Sequence, residues 1–114
     1  MYFCMKIHLI KRITIEQFYK QHPGSRESFI DWLDKLKQAD WNNPKDMQTT
    51  FGAADLLGKS SQLVVFDIGG GNYRMICKYG FGKNEVHLFI CWIGSHAEYD
   101  KINKSGKQYS INLF

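Results

Sequence analysis

Long apolar runs are missing from this sequence. Runs such as those at 63–66 and 88–93 fall far short of the roughly 20 residues that a membrane span needs. No stretch joins a basic start to an apolar core and a small-residue cleavage site, so no signal peptide is expected. Cysteine is scarce and odd in number. Cys4, Cys77 and Cys91 form no CxxC pair, and two of them sit within apolar runs. That argues against a disulfide framework and for reduced, buried thiols in a cytoplasmic protein. Internal repeats and low-complexity segments are also absent. What is present is 114 residues, 44% hydrophobic and 15% aromatic. That suffices for one folded domain and is too little for two.

Charge is modest and uneven. The net charge is +4, and Lys6, Lys11, Arg12 and Lys20 against Glu16 give residues 1–23 a net +3. Residues 62–79 are +1 through Arg74 and Lys78, and residues 102–114 are +2, while 24–61 and 80–101 are each −1. A localised basic excess suits a phosphate-bearing partner, although many ordinary cytosolic domains share it.

The apolar pattern predicts a strand, two helices and then three strands. Residues 5–10 (MKIHLI) read as a short strand. Thr14 is expected to cap a helix, with Gln17 completing a capping box before Phe18 and Tyr19. The HPGS run at 22–25 stops that helix, and Ser25 is expected to cap the next. There Phe29, Ile30, Trp32, Leu33 and Leu36 share one face, leaving Asp31, Asp34, Lys35 and Lys37 outward. A loop from Trp41 leads into a short helical turn over 44–50. Strands follow at 62–68, 73–79 and 86–95, separated by turns at 69–72 and 80–84. Within 73–79, alternation places Arg74, Ile76 and Lys78 opposite Tyr73, Met75, Cys77 and Tyr79. The helices are expected on the all-apolar face, leaving the Arg74–Lys78 face open.

Three constellations invite a functional reading. The DIGGG run at 67–71 is similar to the phosphate loop of actin-like ATPases. Those enzymes close two large lobes over a nucleotide, and this chain has no room for them, so a hairpin turn is the better reading. His22 and His87 read as ordinary loop or surface histidines, and only Cys91-x4-His96 has even weak ligand spacing. No metal and no cofactor are expected. The third run, SHAEYDK at 95–101, gathers an imidazole, a phenol, two carboxylates and an amine directly after the last strand. On a helical turn, His96 shares a face with Tyr99 or Asp100. Imidazole is the side chain best poised for proton transfer near neutrality, and a neighbouring phenol or carboxylate can orient it. A capped C-terminal turn with solvated charges explains the same residues.

In combination, these segments resemble a family. GSHAEYDK at 94–101 is similar to the closing [L/G]-T-H-x-E-Y-D motif of HigB-type toxins, members of the RelE-like ribonuclease toxins. KIHLI at 6–10 matches their opening strand, and His22-Pro23 follows the first helix as it does there. ADW at 39–41, Pro44 and FGAAD at 51–55 are similar to the A-x-W…P…F-P-S-A-D stretch. VFDIGGGNYR at 65–74 is similar to the V-F-N-I-G-G-N-K-Y-R-L hairpin. Two departures stand out: Gly71-Asn72 replaces Asn-Lys, removing a potential phosphate-binding lysine, and Ser95 replaces threonine.

The resemblance implies an α+β fold of β-α-α-β-β-β order, with a small, mainly antiparallel sheet. Two helices would cover one face, and an open basic cleft the other. It assigns the toxin domain to 5–101 and leaves 102–114 as a tail that packs back, joins a neighbour or derives from a vector. The implied activity is that of an mRNA interferase, a metal-independent endoribonuclease that cuts translated message in the ribosomal A site. The ribose 2′-OH would attack the adjacent phosphate, which calls for a base, an acid and fixed positive charge on the phosphoryl oxygens. On this reading Arg74 contacts the scissile phosphate and His96 is the acid or base. Tyr99 is the second choice or the partner of His96, and Asp100 fixes the imidazole tautomer. Lys78 and Lys101 hold flanking phosphates, Lys11 and Arg12 extend the basic surface, and His8 and Trp92 are candidate RNA contacts. The implied partners are a HigA-type helix-turn-helix antitoxin, mRNA and the 70S ribosome. Operator DNA is reached only through the antitoxin, and no membrane is involved. A non-catalytic RNA- or protein-binding domain with the same fold is the alternative.

Overall fold

From residue 6 onward, one short strand precedes three helices, four strands and a closing helix. The computed structural model describes residues 6–58 and 60–114, so Cys4, and Met5 of the expected first strand, lie outside it. Strand β1 (Lys6–Ile10) leads to helices α1 (Ile13–Gln21), α2 (Arg26–Lys37) and α3 (Asp46–Thr50). Strands β2 (Asp55–Leu56), β3 (Leu63–Ile68), β4 (Tyr73–Phe81) and β5 (Glu85–Ser95) follow, and helix α4 (His96–Ser105) closes the series. The sheet order is β1-β5-β4-β3-β2; β1 pairs parallel with β5, and every other pairing is antiparallel. The fold is α+β. Its observed order adds β2, α3 and α4 to the expected β-α-α-β-β-β series.

Alternation along β4 sorts side chains as the sequence predicts. Met75 and Cys77 are fully buried in the main core with Phe29, Trp32, Leu33 and Leu36 of α2 and Ile15 of α1. The acidic and basic residues Asp31, Asp34, Lys35 and Lys37 are outward. The aromatic residues after α2 complete this core. Phe51 stacks on Trp32 at 5.2 Å, and the buried Trp41 indole N–H donates to Thr50 Oγ1 at 2.9 Å, pinning the loop between α2 and α3. Cys77 and Cys91 are buried free thiols, as expected. Burial pushes the Cys77 thiol well above its usual pKa, so it stays protonated and behaves as a small apolar group.

Two local expectations give way. Helix α1 begins at Ile13 with Arg12 at the N-cap and no side-chain cap, so Thr14 is buried within the first turn instead of capping it. Lys11, in the left-handed region at φ 63°, turns the chain sharply after β1 and starts the helix early. Ser25 does occupy the N-cap of α2, but its hydroxyl donates to the His22 carbonyl at 2.7 Å and makes no capping bond to the helix. The preceding 3-10 turn, Pro23–Ser25, takes that hydrogen bond.

The largest correction concerns the face expected to be open. Ile76 is fully buried there, in a second cluster with Leu63, Val65, Cys91, Trp92 and Tyr99. Tyr99 comes from α4, and Ile102, Tyr109 and Ile111 extend the layer, while the Leu113 amide donates to the Cys91 carbonyl at 2.8 Å. The expected single turn after Ser95 is therefore a ten-residue helix, ended by Gly106 in the left-handed conformation. It covers the middle of the sheet. Register shifts between Ile76 and Cys77, where Trp92 and Ile90 are the successive partners, so Cys91 is an extra residue. That bulge lets both Cys91 and Trp92 join the second cluster.

The turn at 69–72 has a backbone that side chains resist. Gly69, Gly70 and Gly71 all have positive φ, and a Cβ at Gly69 would stand 2.8 Å from Ser28 Oγ, whereas one at Gly70 would meet no described residue within 4 Å. Gly69→Ala is therefore expected to destabilise the fold more than Gly70→Ala. Each should lose about 1–3 kcal/mol from backbone strain, with the excess at Gly69 due to Ser28. Urea denaturation of both variants, and of Gly69→Ala combined with Ser28→Ala, checks this: the added Ser28→Ala should remove the excess.

Candidate functional site

The hairpin register sets one charged pair. Asp67 and Arg74 are cross-strand partners two positions from the glycine turn, and Arg74 Nε lies 2.8 Å from Asp67 Oδ1. The contact is a Coulombic one without the alignment of a hydrogen bond. On its other side the guanidinium lies over the Tyr99 ring, 5.4 Å from the centroid. Strand β4, its hairpin partner and helix α4 thus hold one arginine from different directions.

Helix α4 is locked to the same turn. The His96 amide donates to the Asn72 carbonyl at 3.1 Å. Ser95 then caps the helix: the Glu98 amide donates to Ser95 Oγ at 3.1 Å, and the Ser95 amide donates to Glu98 Oε1 at 2.9 Å. The Ser95 amide first, and the Ser95 hydroxyl second, hold the Glu98 carboxyl below its ordinary pKa. Gly94, immediately upstream, is obligatory for a different reason: a Cβ there would fall 2.6 Å from Cη2 of the Trp92 indole, which covers it.

With the helix start fixed, His96 projects from its first turn. His96 Nε2 lies 3.4 Å from Asp100 Oδ2, one turn on, and both side chains are about half exposed. Tyr99 is buried, with its ring 6.2 Å from that of Trp92. Burial, reinforced by Asp55, raises its pKa above the usual phenol value and outweighs the opposing pull of Arg74. At neutral pH this hydroxyl can donate a proton but does not serve as a base.

Arg74 and His96 line a cleft of about 550 Å³ beside the turn, together with Asp67, Ser95, Ala97 and residues 70–72. The sequence-derived candidates divide around it. Arg74 and His96 line it, Tyr99 lies under the Arg74 guanidinium and Asp100 beside His96 without lining it, and Lys101 is exposed on the same helix. Trp92 is close but buried, with its indole against Gly94 and Tyr99. Lys78 and Lys11 instead border a separate, largely apolar groove of about 500 Å³, with Phe89, Cys91 and Phe114. Arg12 lies on another groove, beside Leu33, Leu36 and Lys37. His8 stacks on His87 at 5.2 Å, at the end of β5 remote from the cleft. Among the described residues, His8, Glu85 and His87 are the group whose donor atoms converge closely enough for a metal ion.

Asp67 and Asn72 were not singled out as site residues from the sequence. Counting outward from the four-residue turn would have found Asp67, because Ile68 pairs with Tyr73 and Asp67 with Arg74. The Asn72 contribution is a backbone carbonyl, and no side-chain pattern reports it.

Two comparisons bear on this arrangement. The HigB toxin family, described as a RelE-like toxic component of a toxin-antitoxin system, matches residues 25–102, more than half of the chain. A protein of Escherichia coli O6:H1 (strain CFT073) named mRNA interferase HigB is 28% identical over 98 residues, covering 86% of this chain and 93% of that relative.

The capping box yields a stability prediction with a defined sign. Ser95→Ala should cost about 1 kcal/mol, read by urea denaturation. Glu98 has a lowered folded-state pKa, so its charge stabilises the fold above the unfolded value, and that contribution is lost as pH falls through the folded value. Glu98→Gln keeps a hydrogen-bonding side chain and removes the charge. It should therefore be less stable than wild type at neutral pH, with the gap closing as the solution is taken below the ordinary carboxylate range, about pH 4. A gap of the same size at pH 7 and at about pH 3 contradicts the assignment.

Proposed function

The chain belongs to the HigB family of RelE-like toxins, the toxic component of a toxin–antitoxin system, and from that premise we propose that it is a ribosome-dependent mRNA interferase. It cleaves translated message in the A site by attack of a ribose 2′-OH on the adjacent phosphodiester. The E. coli relative named mRNA interferase HigB supports the substrate class. The observation that carries the reading is the convergence of Arg74 and His96 on one solvent-open cleft.

In this mechanism Arg74 clamps the scissile phosphate. Asp67 engages Nε, and the guanidinium has four further N–H donors for phosphoryl oxygens, whose charge grows in the transition state. As the P–O5′ bond breaks, His96 takes the 2′-OH proton or delivers one to the departing 5′-oxygen, with Asp100 one helical turn away orienting the ring. Tyr99 supports the guanidinium through its ring face and keeps its proton, which suits an acid or a positioning group. Lys101 meets a flanking phosphate from the exposed side of α4. Lys78, Lys11 and Arg12 attract RNA more remotely, through the field of the basic surface. The reaction needs no metal at this cleft, and it leaves a 2′,3′-cyclic or 3′-phosphate end.

The family implies an antitoxin partner; we assign it to the HigA type, a helix-turn-helix protein that brings operator DNA to the complex. Among the described residues no helix is long and apolar enough to cross a membrane, and the site of action proposed here is the cytoplasmic ribosome.

Expression of the wild-type chain should arrest bacterial growth, and Arg74→Ala and His96→Ala should relieve the arrest. With purified ribosomes, each variant should cut programmed message at least about 100-fold more slowly. Arg74→Lys should recover little, because an ammonium cannot reproduce the bidentate fork. Equal toxicity of wild type and both variants would remove the assigned roles. Absence of any effect from well-expressed wild type would favour a binding domain, and equal cleavage of free and ribosome-bound RNA would contradict the A-site mechanism.

A further inference from the structure

We propose that His8, Glu85 and His87 form a binding site for a divalent transition-metal ion of the imidazole-preferring kind, represented by zinc. The site is separate from the Arg74–His96 cleft, and no step of the cleavage chemistry runs through it.

Strand pairing builds the site. His8 and His87 are direct partners in the parallel β1–β5 ladder, and Glu85 lies two residues before His87, on the same face of β5. The two imidazoles are nearly parallel, at 18° and 5.2 Å between centroids. Glu85 reaches both: Oε1 lies 3.5 Å from His8 Nε2, and Oε2 lies 3.7 Å from His87 Nε2. All three donors fall within 4.8 Å of one another.

Those separations suit a shared cation. Two ligands bound to zinc at about 2.0–2.1 Å in a tetrahedron stand roughly 3.3 Å apart, close to the two nitrogen–oxygen distances here. They are long for hydrogen bonds. Among the described residues His8 Nε2 is shielded from solvent and has no hydrogen-bond partner, a state that a coordinated ion would relieve.

Space for a fourth ligand is also present. Gly80 is the β4 partner of His87, and among the described residues nothing stands within 4 Å of where its Cβ would be. Two imidazoles and a carboxylate form a donor set suited to zinc, copper or nickel and poorly suited to magnesium. Because His8 belongs to β1 and the other two ligands to β5, a bound ion would clip the five-residue edge strand to its neighbour. It would also give His8 a role different from the RNA contact suggested by its place in the sequence.

The test needs no nuclease activity, so its outcome is independent of the proposed function. Full-length, tag-free protein is titrated with zinc chloride and, in parallel, with magnesium chloride by isothermal titration calorimetry. One equivalent of zinc should bind, with no comparable magnesium isotherm. Affinity should fall at least tenfold in both His87→Ala and Glu85→Gln, the latter at an exposed position beside the β4–β5 turn where folding is undisturbed. Zinc should raise the melting temperature of wild type and leave that of Glu85→Gln unchanged. Absence of a one-equivalent zinc isotherm overturns the site. Wild-type affinity retained by either variant also overturns it, by assigning the ion to His96 and Asp100 or to the thiols.

Discussion

Everything around the candidate cleft depends on the register of the β3–β4 hairpin. Three consecutive glycines with positive φ reverse the chain tightly enough to set Asp67 opposite Arg74 and to aim the Asn72 carbonyl at the first amide of α4. A slip of one residue would exchange the faces of β4. Arg74 would then enter the layer occupied by Met75 and Cys77, where an unpaired charge costs several kcal/mol. The core therefore enforces the register, and the register delivers the arginine to the cleft.

Two apolar layers meet at that cleft. On one side of the sheet, Phe18 packs edge-on against Tyr73 and stacks with His22. On the other, Trp92 and Tyr99 close the second layer. The β5 bulge matters here, because the extra residue at Cys91 lets Ile90 and Ile93 serve the first layer while Cys91 and Trp92 serve the second. His22 also lowers the Glu98 pKa through its charge, behind the larger effect of the Ser95 bonds. The site thus lies at a seam stiffened from both faces, and its open side points away from both.

Periodicity made most of this legible. Two-residue alternation in β4 identified the core face, and three-and-four spacing identified the buried side of α2, because burial acts directly on side-chain pattern. The second layer was not legible in the same way. Tyr99, Ile102, Tyr109 and Ile111 are spaced too unevenly, among too many charges, to announce an apolar face. Thr14 had the composition of a cap and lost the position to backbone geometry at Lys11, which side-chain preference does not encode. For the site, residue types and the resemblance brought Arg74, His96, Tyr99 and Asp100 forward, but nothing in the chain order separated them from Lys78, Lys11 and His8. That separation is a property of the three-dimensional sheet, in which β5 carries its two ends to opposite sides of the domain.

The electrostatics of the cleft fit a binder of specific phosphates better than a general polyanion surface. Arg74 has Asp67 beside it, and His96 has Asp100. Such pairing lowers the long-range potential of the cleft, so attraction at a distance falls to exposed bases elsewhere, such as Lys11 and Arg12 after β1 and Lys101 and Lys104 on α4. At close range the effect reverses. The half-exposed His96–Asp100 pair is worth about 1 kcal/mol or less, so a phosphate can displace it cheaply, while Asp67 and Tyr99 keep the guanidinium plane from wandering. If Arg74 clamps the scissile phosphate as proposed, a guanidinium held in place before the substrate arrives loses little entropy on binding. In a cleft this small and this open, orientation of one arginine and one imidazole is what the fold supplies.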